Sequence, residues 1–158
     1  MKLSADRVGS ILAEVVRWAT RRNNISAVAL VGSWARGTAR ADSDIDLILL
    51  SPAPLWFRQN DCWLSEIDWR SIGSTIAAWR DADYGIVWSR HLRLADGTEI
   101  EFGFGPLAWA SVDPIDPGTF QVIGDGCQIL HDPQGLLNDL VTHVIGRIPC
   151  SPYSLPNR

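Results

Sequence analysis

The stretch GSWARGTARADSDIDLILL, residues 32–50, changes character along its length. Its first fifteen positions hold two glycines, two arginines and three aspartates, whereas its last four residues are all apolar. The apolar end predicts a buried strand over residues 44–50. Asp44 and Asp46 therefore stand at the start of a buried strand, where a carboxylate is costly unless a cation neutralises it. We expect a cation at this strand.

The spacing of the two aspartates indicates which cation. In a strand, Asp44 and Asp46 point to one face, whereas Ile45, Leu47 and Leu49 point to the other. Two carboxylates so placed can hold a pair of Mg²⁺ ions about 3.5–4 Å apart, the arrangement used for in-line phosphoryl transfer. Mg²⁺ is therefore the expected cofactor, with Mn²⁺ as an alternative.

The Gly32-Ser33 turn before this strand suits a bound triphosphate. Small residues let backbone N–H groups approach phosphate oxygens, and the Ser33 hydroxyl adds a polar contact. Arg36 and Arg40 follow closely enough along the chain to offset phosphate charge. The candidate nucleotide-binding residues are Gly32, Ser33, Arg36, Arg40 and Ser43.

Two other motifs are excluded by their spacing. A P-loop needs Lys followed by Ser or Thr after its second glycine, but residues 38–39 are Thr and Ala. A calcium loop needs Gly at its sixth position and Glu at its twelfth, where this chain has Leu47 and Ala53. One alternative stays open, in which Ser43 or Asp42 caps a turn and the acidic cluster is ordinary loop chemistry.

The motif Gly32-Ser33-Trp34-Ala35-Arg36-Gly37, followed by Asp44-Ile45-Asp46, resembles the signature of the polymerase-β-like nucleotidyltransferase superfamily. The form GSWARG…SDIDL is most similar to its small bacterial members, the minimal nucleotidyltransferases. The resemblance covers about 20 residues in the order strand, turn, helix and strand. It implies transfer of a nucleoside monophosphate from a nucleoside triphosphate such as ATP to a hydroxyl, with release of pyrophosphate.

The resemblance also implies a third metal-binding carboxylate on a later strand of the same sheet. In TEIEFGF, residues 98–104, strand alternation places Glu99 and Glu101 on the same face. Glu101 is preferred because it lies deeper in the strand, but the sequence alone leaves Glu99 open. Aspartate is more usual at this position, although glutamate can also ligate a metal or accept a proton. The expected catalytic and metal-binding residues are Asp44, Asp46 and Glu101.

The remaining pattern predicts an α/β fold, a small mixed, twisted β-sheet with helices packed on it, as in nucleotidyltransferases. A segment over residues 62–68 is interpreted as a strand, residues 72–80 as a helix, and a short strand pair is predicted around 119–130. The clearer elements are helices over 4–22, 33–38 and 134–146, strands over 25–31 and 44–50, and a β-hairpin over 84–104 that turns at Asp96-Gly97.

Composition limits the organisation of the chain. With 158 residues, 46% of them apolar and 20% charged, the chain suits one well-buried core. Residues 1–148 are predicted to form the nucleotidyltransferase-like domain. Residues 149–158 contain three prolines and are predicted to form a flexible tail.

Charge and cysteine content limit the surroundings and partners. The net charge of −4 provides no basic footprint for a long nucleic acid. Cys62, Cys127 and Cys150 are scattered, which favours a reducing cytoplasm over a zinc site or disulfides. Neither a signal peptide nor a membrane span is expected.

The resemblance implies several kinds of acceptor. Some relatives modify aminoglycoside or lincosamide antibiotics, and others are antitoxins that nucleotidylate a toxin. The expected acceptor is therefore a protein or a small molecule, and a homodimer or a toxin partner would complete a shallow acceptor side. The alternative is a module without catalysis that binds a nucleotide or a partner, as an antitoxin does.

Overall fold

Two apolar runs form the centre of a six-stranded mixed sheet in the computed structural model, which describes residues 3–148. The strands are β1 (Ala27–Val31), β2 (Ile45–Leu50), β3 (Ile76–Tyr84), β4 (Val87–Leu94), β5 (Glu99–Gly105) and β6 (Gln128–His131). The sheet order is β3-β4-β5-β2-β1-β6. Neighbouring strands are antiparallel except for β2 and β5, which are parallel. The predicted α/β class and mixed sheet are confirmed.

The helices pack on both faces of this sheet. The longest begins after Ser4, whose hydroxyl accepts a hydrogen bond from the Arg7 backbone N–H at 3.1 Å. Two 3₁₀ helices, Trp69–Ile72 and Leu107–Ala110, lie between the other elements. The α-helices are α1 (Ala5–Thr20), α2 (Gly32–Arg36), α3 (Trp56–Gln59), α4 (Trp63–Glu66), α5 (Pro117–Asp125) and α6 (Leu136–Arg147).

The first face of the sheet carries the larger, aromatic part of the core. Trp18 of α1 stacks on Trp63 of α4 with ring centroids 5.3 Å apart. Phe57 stacks on Phe104 of β5 at 4.6 Å, and Trp88 of β4 stacks on the same ring at 5.0 Å. This packing explains why Ile45, Leu47 and Leu49 of β2 are buried on this face.

The second face is covered over only part of its width. Helices α5 and α6 and the second 3₁₀ helix pack on Ala27, Ala29 and Val31 of β1. Farther across the same face, Glu101 of β5 and His91 of β4 are partly exposed. The second face therefore has an open side, beginning beside the carboxylates of β2 and β5.

Two of the less readable segments were predicted wrongly. Residues 62–68, interpreted as a strand, contain α4, because burial of Trp63, Leu64 and Ile67 follows helical spacing. Residues 72–80, interpreted as a helix, instead end a 3₁₀ helix at Gly73, whose φ is 75°, and then enter β3.

Strand β3 is held at the edge of the sheet by a buried arginine. The Arg90 side chain of β4 is 1% exposed and donates to both carboxylate oxygens of Asp81, at 2.8 and 2.9 Å. It also donates to Asp61 at 2.9 Å and lies 3.9 Å from the ring centroid of Trp79. These partners are distant in sequence, so local propensity did not indicate a strand here.

The strand pair predicted around 119–130 is half wrong. Residues 117–125 form α5, because the Asp116 side chain accepts from the Thr119 backbone N–H at 3.1 Å and Pro117 fits the first turn. The second half is β6, which pairs with β1. The Asp-Pro pair at 116–117 was the sequence signal for this helix.

The tail predicted over 149–158 lies outside the described residues, and the single domain over 1–148 stays a prediction. No helix within residues 3–148 has the length and apolar character needed to cross a membrane.

Candidate active site

Strand register brings the Gly-Ser turn and two carboxylates together. Parallel pairing of β2 and β5 sets Asp46 level with Glu101. Antiparallel pairing of β1 and β2 sets Asp46 level with Val31, the residue before Gly32. Three segments distant in sequence thus meet on the second face of the sheet, at the edge of the part covered by helices.

Gly32 lies directly against Asp46. Its φ of 72° is in the left-handed region, and an added Cβ atom would overlap the Asp46 carboxylate. Glycine is therefore required here for its conformation and for its lack of a side chain. The next turn of α2 carries Arg36, which is packed against Gly126, where an added Cβ would lie 2.8 Å from the Arg36 Cγ.

The surroundings of the Asp46 carboxyl disfavour its negatively charged form. Burial, together with a hydrogen bond and the charge of Glu101 and the charge of Asp44, raises the pKa of Asp46 to about 7. Arg36 acts in the opposite direction and lowers the pKa. The Asp46 carboxyl therefore keeps its proton to near neutral pH, at a position where a bound cation would relieve the repulsion from the neighbouring carboxylates.

Asp44 interacts with Glu99, the other candidate glutamate of β5. A hydrogen bond to the Asp44 carboxylate and its negative charge raise the pKa of Glu99, as does burial, whereas Arg93 and Arg80 lower it. Asp44 and Glu99 line a second cavity of about 210 Å³. The candidate carboxylates thus form two pairs, Asp46 with Glu101 and Asp44 with Glu99.

The donor chemistry of the first pair fits Mg²⁺, which prefers carboxylate oxygens. Asp46 is hydrogen-bonded to Glu101 and lies in the negative charge of Glu101 and Asp44, so a positive charge would be stabilised at that point. Within residues 3–148, no group of three His, Cys, Asp or Glu side chains is already arranged to hold a metal ion. For Asp44 to join Asp46 and Glu101 in one metal site, Asp44 must give up its hydrogen bond with Glu99 and bind the metal instead.

The other predicted nucleotide contacts fall into two groups. Ser33 lies in the first turn of α2, which has no side-chain cap, and its carbonyl accepts from the Thr38 N–H at 3.1 Å. Arg40 and Ser43 close a turn before β2, where the Ser43 hydroxyl accepts from the Arg40 N–H at 2.8 Å. This is the turn geometry that the sequence left open, and nucleotide contact by these residues stays a prediction.

Sequence reasoning missed a cavity of about 440 Å³ beside Asp46 and Glu101. Its far side is formed by residues of the β3–β4 turn, the second 3₁₀ helix and α5: Tyr84, Ile86, Val87, Trp109, Thr119 and Val122. These segments are distant from the motif in sequence, and α5 was predicted as a strand. No local signal indicated this cavity.

Sequence reasoning also missed His91. It pairs with Glu101 across β4 and β5, and its Nε2 atom lies 3.4 Å from Glu101 Oε1 and 3.3 Å from the Tyr84 hydroxyl oxygen. A two-residue turn at Asp96-Gly97 would place Leu92 opposite Glu101, whereas the observed register is one residue different and places His91 there. The turn residues alone therefore did not predict the position of His91.

Gly32→Ala is expected to weaken binding of a non-hydrolysable triphosphate with Mg²⁺ at least ~10-fold, because the new methyl group displaces the Asp46 carboxylate. Gly37→Ala is the matched control, since Gly37 has a φ of 76° and an added Cβ meets no atom within 4 Å. Both variants carry similar backbone strain. Calorimetric titration should show near wild-type affinity for Gly37→Ala, and equal affinities for the two variants would place the phosphates elsewhere.

The raised pKa of Asp46 predicts how the stability of the metal-free protein depends on pH. The folded protein holds a proton up to about pH 7 that the unfolded chain releases near the ordinary value of 3.8. This group therefore lowers the free energy of unfolding as pH rises from 4 through 7. Between pH 5 and 8, the free energy of unfolding of Asp46→Asn should therefore rise by on the order of 2 kcal/mol relative to that of the wild type. Urea unfolding in EDTA tests this, and an unchanged pH dependence in the variant would contradict it.

Comparison with known proteins agrees with the motif. Residues 12–74 match the family described as the nucleotidyltransferase domain. This range includes the Gly-Ser turn, Asp44 and Asp46, and it ends before β5 and Glu101. The fold and motif are those of the polymerase-β-like nucleotidyltransferase class. Over residues 12–74, less than half of its length, the chain is similar to this family of nucleotidyltransferase domains.

Several solved structures are similar to this chain at low sequence identity. An aminoglycoside 6-adenyltransferase from Bacillus subtilis has 14% identity and a TM-score of 0.46, covering 68% of this chain and 37% of that chain. A cytoplasmic RNA terminal U-transferase has 15% identity and a TM-score of 0.43, covering 66% and 31%. A toxin-antitoxin structure with AMP-PNP has 14% identity and a TM-score of 0.42, covering 85% and 84%. The chain thus spans about a third of the first two structures. A search of curated proteins found no match.

Proposed function

We propose that the protein catalyses Mg²⁺-dependent transfer of a nucleoside monophosphate from a nucleoside triphosphate to a hydroxyl of a protein or small molecule, with release of pyrophosphate. The observation that carries this proposal is the contact of Gly32 with Asp46, which is itself hydrogen-bonded to Glu101. A phosphate-binding turn and metal-binding carboxylates are thereby adjacent. The nucleotidyltransferase domain match supports the same reaction.

Six of the predicted residues have a role in this reaction. Asp44, Asp46 and Glu101 would hold Mg²⁺, which neutralises charge on the phosphates when bound. Gly32 and Ser33 would hold the triphosphate through backbone N–H groups and a hydroxyl, with Arg36 offsetting charge. The acceptor oxygen attacks the α-phosphorus as the bond to the pyrophosphate oxygen breaks, and the acceptor proton passes to the Glu101 carboxylate.

The alternative without catalysis makes a different geometric prediction. A structure with both glutamates of β5 far from Asp44 and Asp46 would favour it. Glu101 is instead level with Asp46, and Glu99 is hydrogen-bonded to Asp44. This arrangement supports the catalytic proposal.

The open side of the second face supports an acceptor larger than water. The cavity of about 440 Å³ begins at the carboxylates and extends to exposed Tyr84 and Ile86. A protein segment or a small molecule has room to present a hydroxyl there. A second copy of the chain or a toxin partner would cover the exposed rim in this proposal.

Label transfer identifies the acceptor class. Purified protein, Mg²⁺ and each α-labelled nucleoside triphosphate are added to host lysate, with Asp46→Asn as the control. We expect label in protein or in small molecules with the wild-type protein and none above background with the variant. Label in neither fraction, with all four nucleotides, would contradict the proposal.

Glu101→Gln is expected to reduce transfer at least ~10²-fold, because Glu101 is the carboxylate level with Asp46. Glu99→Gln is the matched variant, two residues away on the same face, and should cost only a few-fold. Initial rates of pyrophosphate release compare the two. A larger loss in Glu99→Gln would transfer the assignment to Glu99 and keep the reaction.

A further inference from the structure

Tyr84 brings a hydroxyl into the candidate active site. This last residue of β3 is 57% exposed and lines the same cavity as Asp46 and Glu101. Its hydroxyl oxygen lies 3.3 Å from His91 Nε2, and the same nitrogen lies 3.4 Å from Glu101 Oε1. One imidazole nitrogen therefore separates the phenol oxygen from the carboxylate assigned to the metal.

Strand register places this hydroxyl on the face where the reaction is proposed. Tyr84 pairs with Val87 of β4, and Ser89 and His91 follow on the same face. His91 in turn pairs with Glu101, which is level with Asp46. The tyrosine side chain thus lies along the open side of the sheet and ends near the carboxylates.

The other hydroxyls that line this cavity are inaccessible. Ser89 is 2% exposed and Thr119 is 1% exposed. Of the described residues that line the cavity, Tyr84 alone presents an exposed hydroxyl. Among the hydroxyls of this chain that line the cavity, Tyr84 is therefore the one that can accept a transferred group.

We propose, resting on the nucleotidyl transfer proposed above, that Tyr84 is a site of self-nucleotidylation. The Tyr84 oxygen forms a bond to the α-phosphorus of the nucleoside triphosphate, and the bond from that phosphorus to the bridging oxygen of the leaving group breaks. Pyrophosphate leaves, and the phenol proton passes to the hydrogen-bonded Nε2 of His91. The product is a phosphodiester between Tyr84 and a nucleoside.

The Tyr84 oxygen lies close to the carboxylate assigned to the metal. Attack requires an oxygen about 3–3.5 Å from phosphorus, and the phosphoryl group must also lie beside the metal-binding carboxylates. The Tyr84 oxygen and Glu101 Oε1 both contact His91 Nε2, at 3.3 and 3.4 Å. The hydroxyl is therefore near a phosphoryl group bound at the carboxylates, with His91 beside it to accept the proton.

Mass measurement tests the proposal directly. The full chain is incubated with Mg²⁺ and each nucleoside triphosphate in turn, without another acceptor, and its intact mass and peptide masses are measured. We expect the mass of one nucleoside monophosphate to be added to the peptide that contains Tyr84. Tyr84→Phe should lose this addition and Asp46→Asn should never acquire it.

The other tyrosine provides a matched control. Tyr153→Phe should keep the addition at Tyr84, since the chain contains only these two tyrosines. An addition at another residue, or an unmodified chain that still labels acceptors in lysate, would overturn this inference and leave the proposed function intact. A chain that labels neither itself nor lysate would overturn both.

Discussion

Asp46→Asn is expected to reduce nucleotidyl transfer at least ~10²-fold while leaving the fold intact. Asp46 touches Gly32, is hydrogen-bonded to Glu101 and feels the charge of Asp44, so it is the common member of the site. The amide cannot supply the negative charge that a metal ligand requires. Initial rates of pyrophosphate release, measured once the acceptor class is known, give the size of the loss.

Asp42→Asn is the matched control for this variant. Asp42 precedes the same strand, is exposed and lies outside the carboxylate pairs. Its change should alter the rate less than about twofold, as expected for a surface position without a defined contact. Wild-type turnover in Asp46→Asn would contradict the metal assignment.

Arg90→Met is expected to lower the free energy of unfolding by about 3 kcal/mol, the largest stability change that we predict. The methionine keeps much of the apolar bulk but leaves Asp81 without its bidentate partner and removes the hydrogen bond to Asp61. Stacking of the guanidinium on Trp79 is also lost. Urea unfolding followed by tryptophan fluorescence measures the change.

Arg93→Met provides the comparison on the same strand. Arg93 is exposed on the opposite face of β4, and its change should cost less than about 0.5 kcal/mol. Equal stability of the two variants would show that the Arg90 cluster does not hold β3 against the sheet. The cluster would then be a surface feature without an energetic role.

The central part of the fold followed from local patterns. The alternation of aspartate with Ile45, Leu47 and Leu49 defined both faces of β2 before any tertiary contact was known. The Asp96-Gly97 turn likewise defined the hairpin that carries Glu101. These features depend on residues close in sequence, so the sequence was sufficient to predict them.

The edge of the sheet did not follow from local patterns. Strand β3 is mostly exposed and lacks an alternating apolar pattern, and the Arg90 and Asp61 side chains that meet beside it lie in other segments. Local propensity therefore gave no indication of a strand there. The helix at 117–125 was a different failure, because its capping signal was present but was not recognised.

Some features of the candidate site could be predicted from the sequence, and others could not. The glycine at position 32 and the shared face of Asp44 and Asp46 were predicted from spacing. The choice between Glu99 and Glu101 depends on the register of β2 against β5, which are parallel and joined by a long connection. Sequence could not supply that register, nor the pairing of Asp44 with Glu99.

A crystal structure with Mg²⁺ and a non-hydrolysable nucleoside triphosphate tests the central claim most directly. We expect a metal about 2.0–2.1 Å from a carboxylate oxygen of Asp46, with Glu101 as a second ligand or one water away. The phosphates should lie against Gly32 and Ser33, and Asp44 should have left Glu99. A structure with nucleotide bound and no metal at either Asp46 or Glu101 would contradict the account.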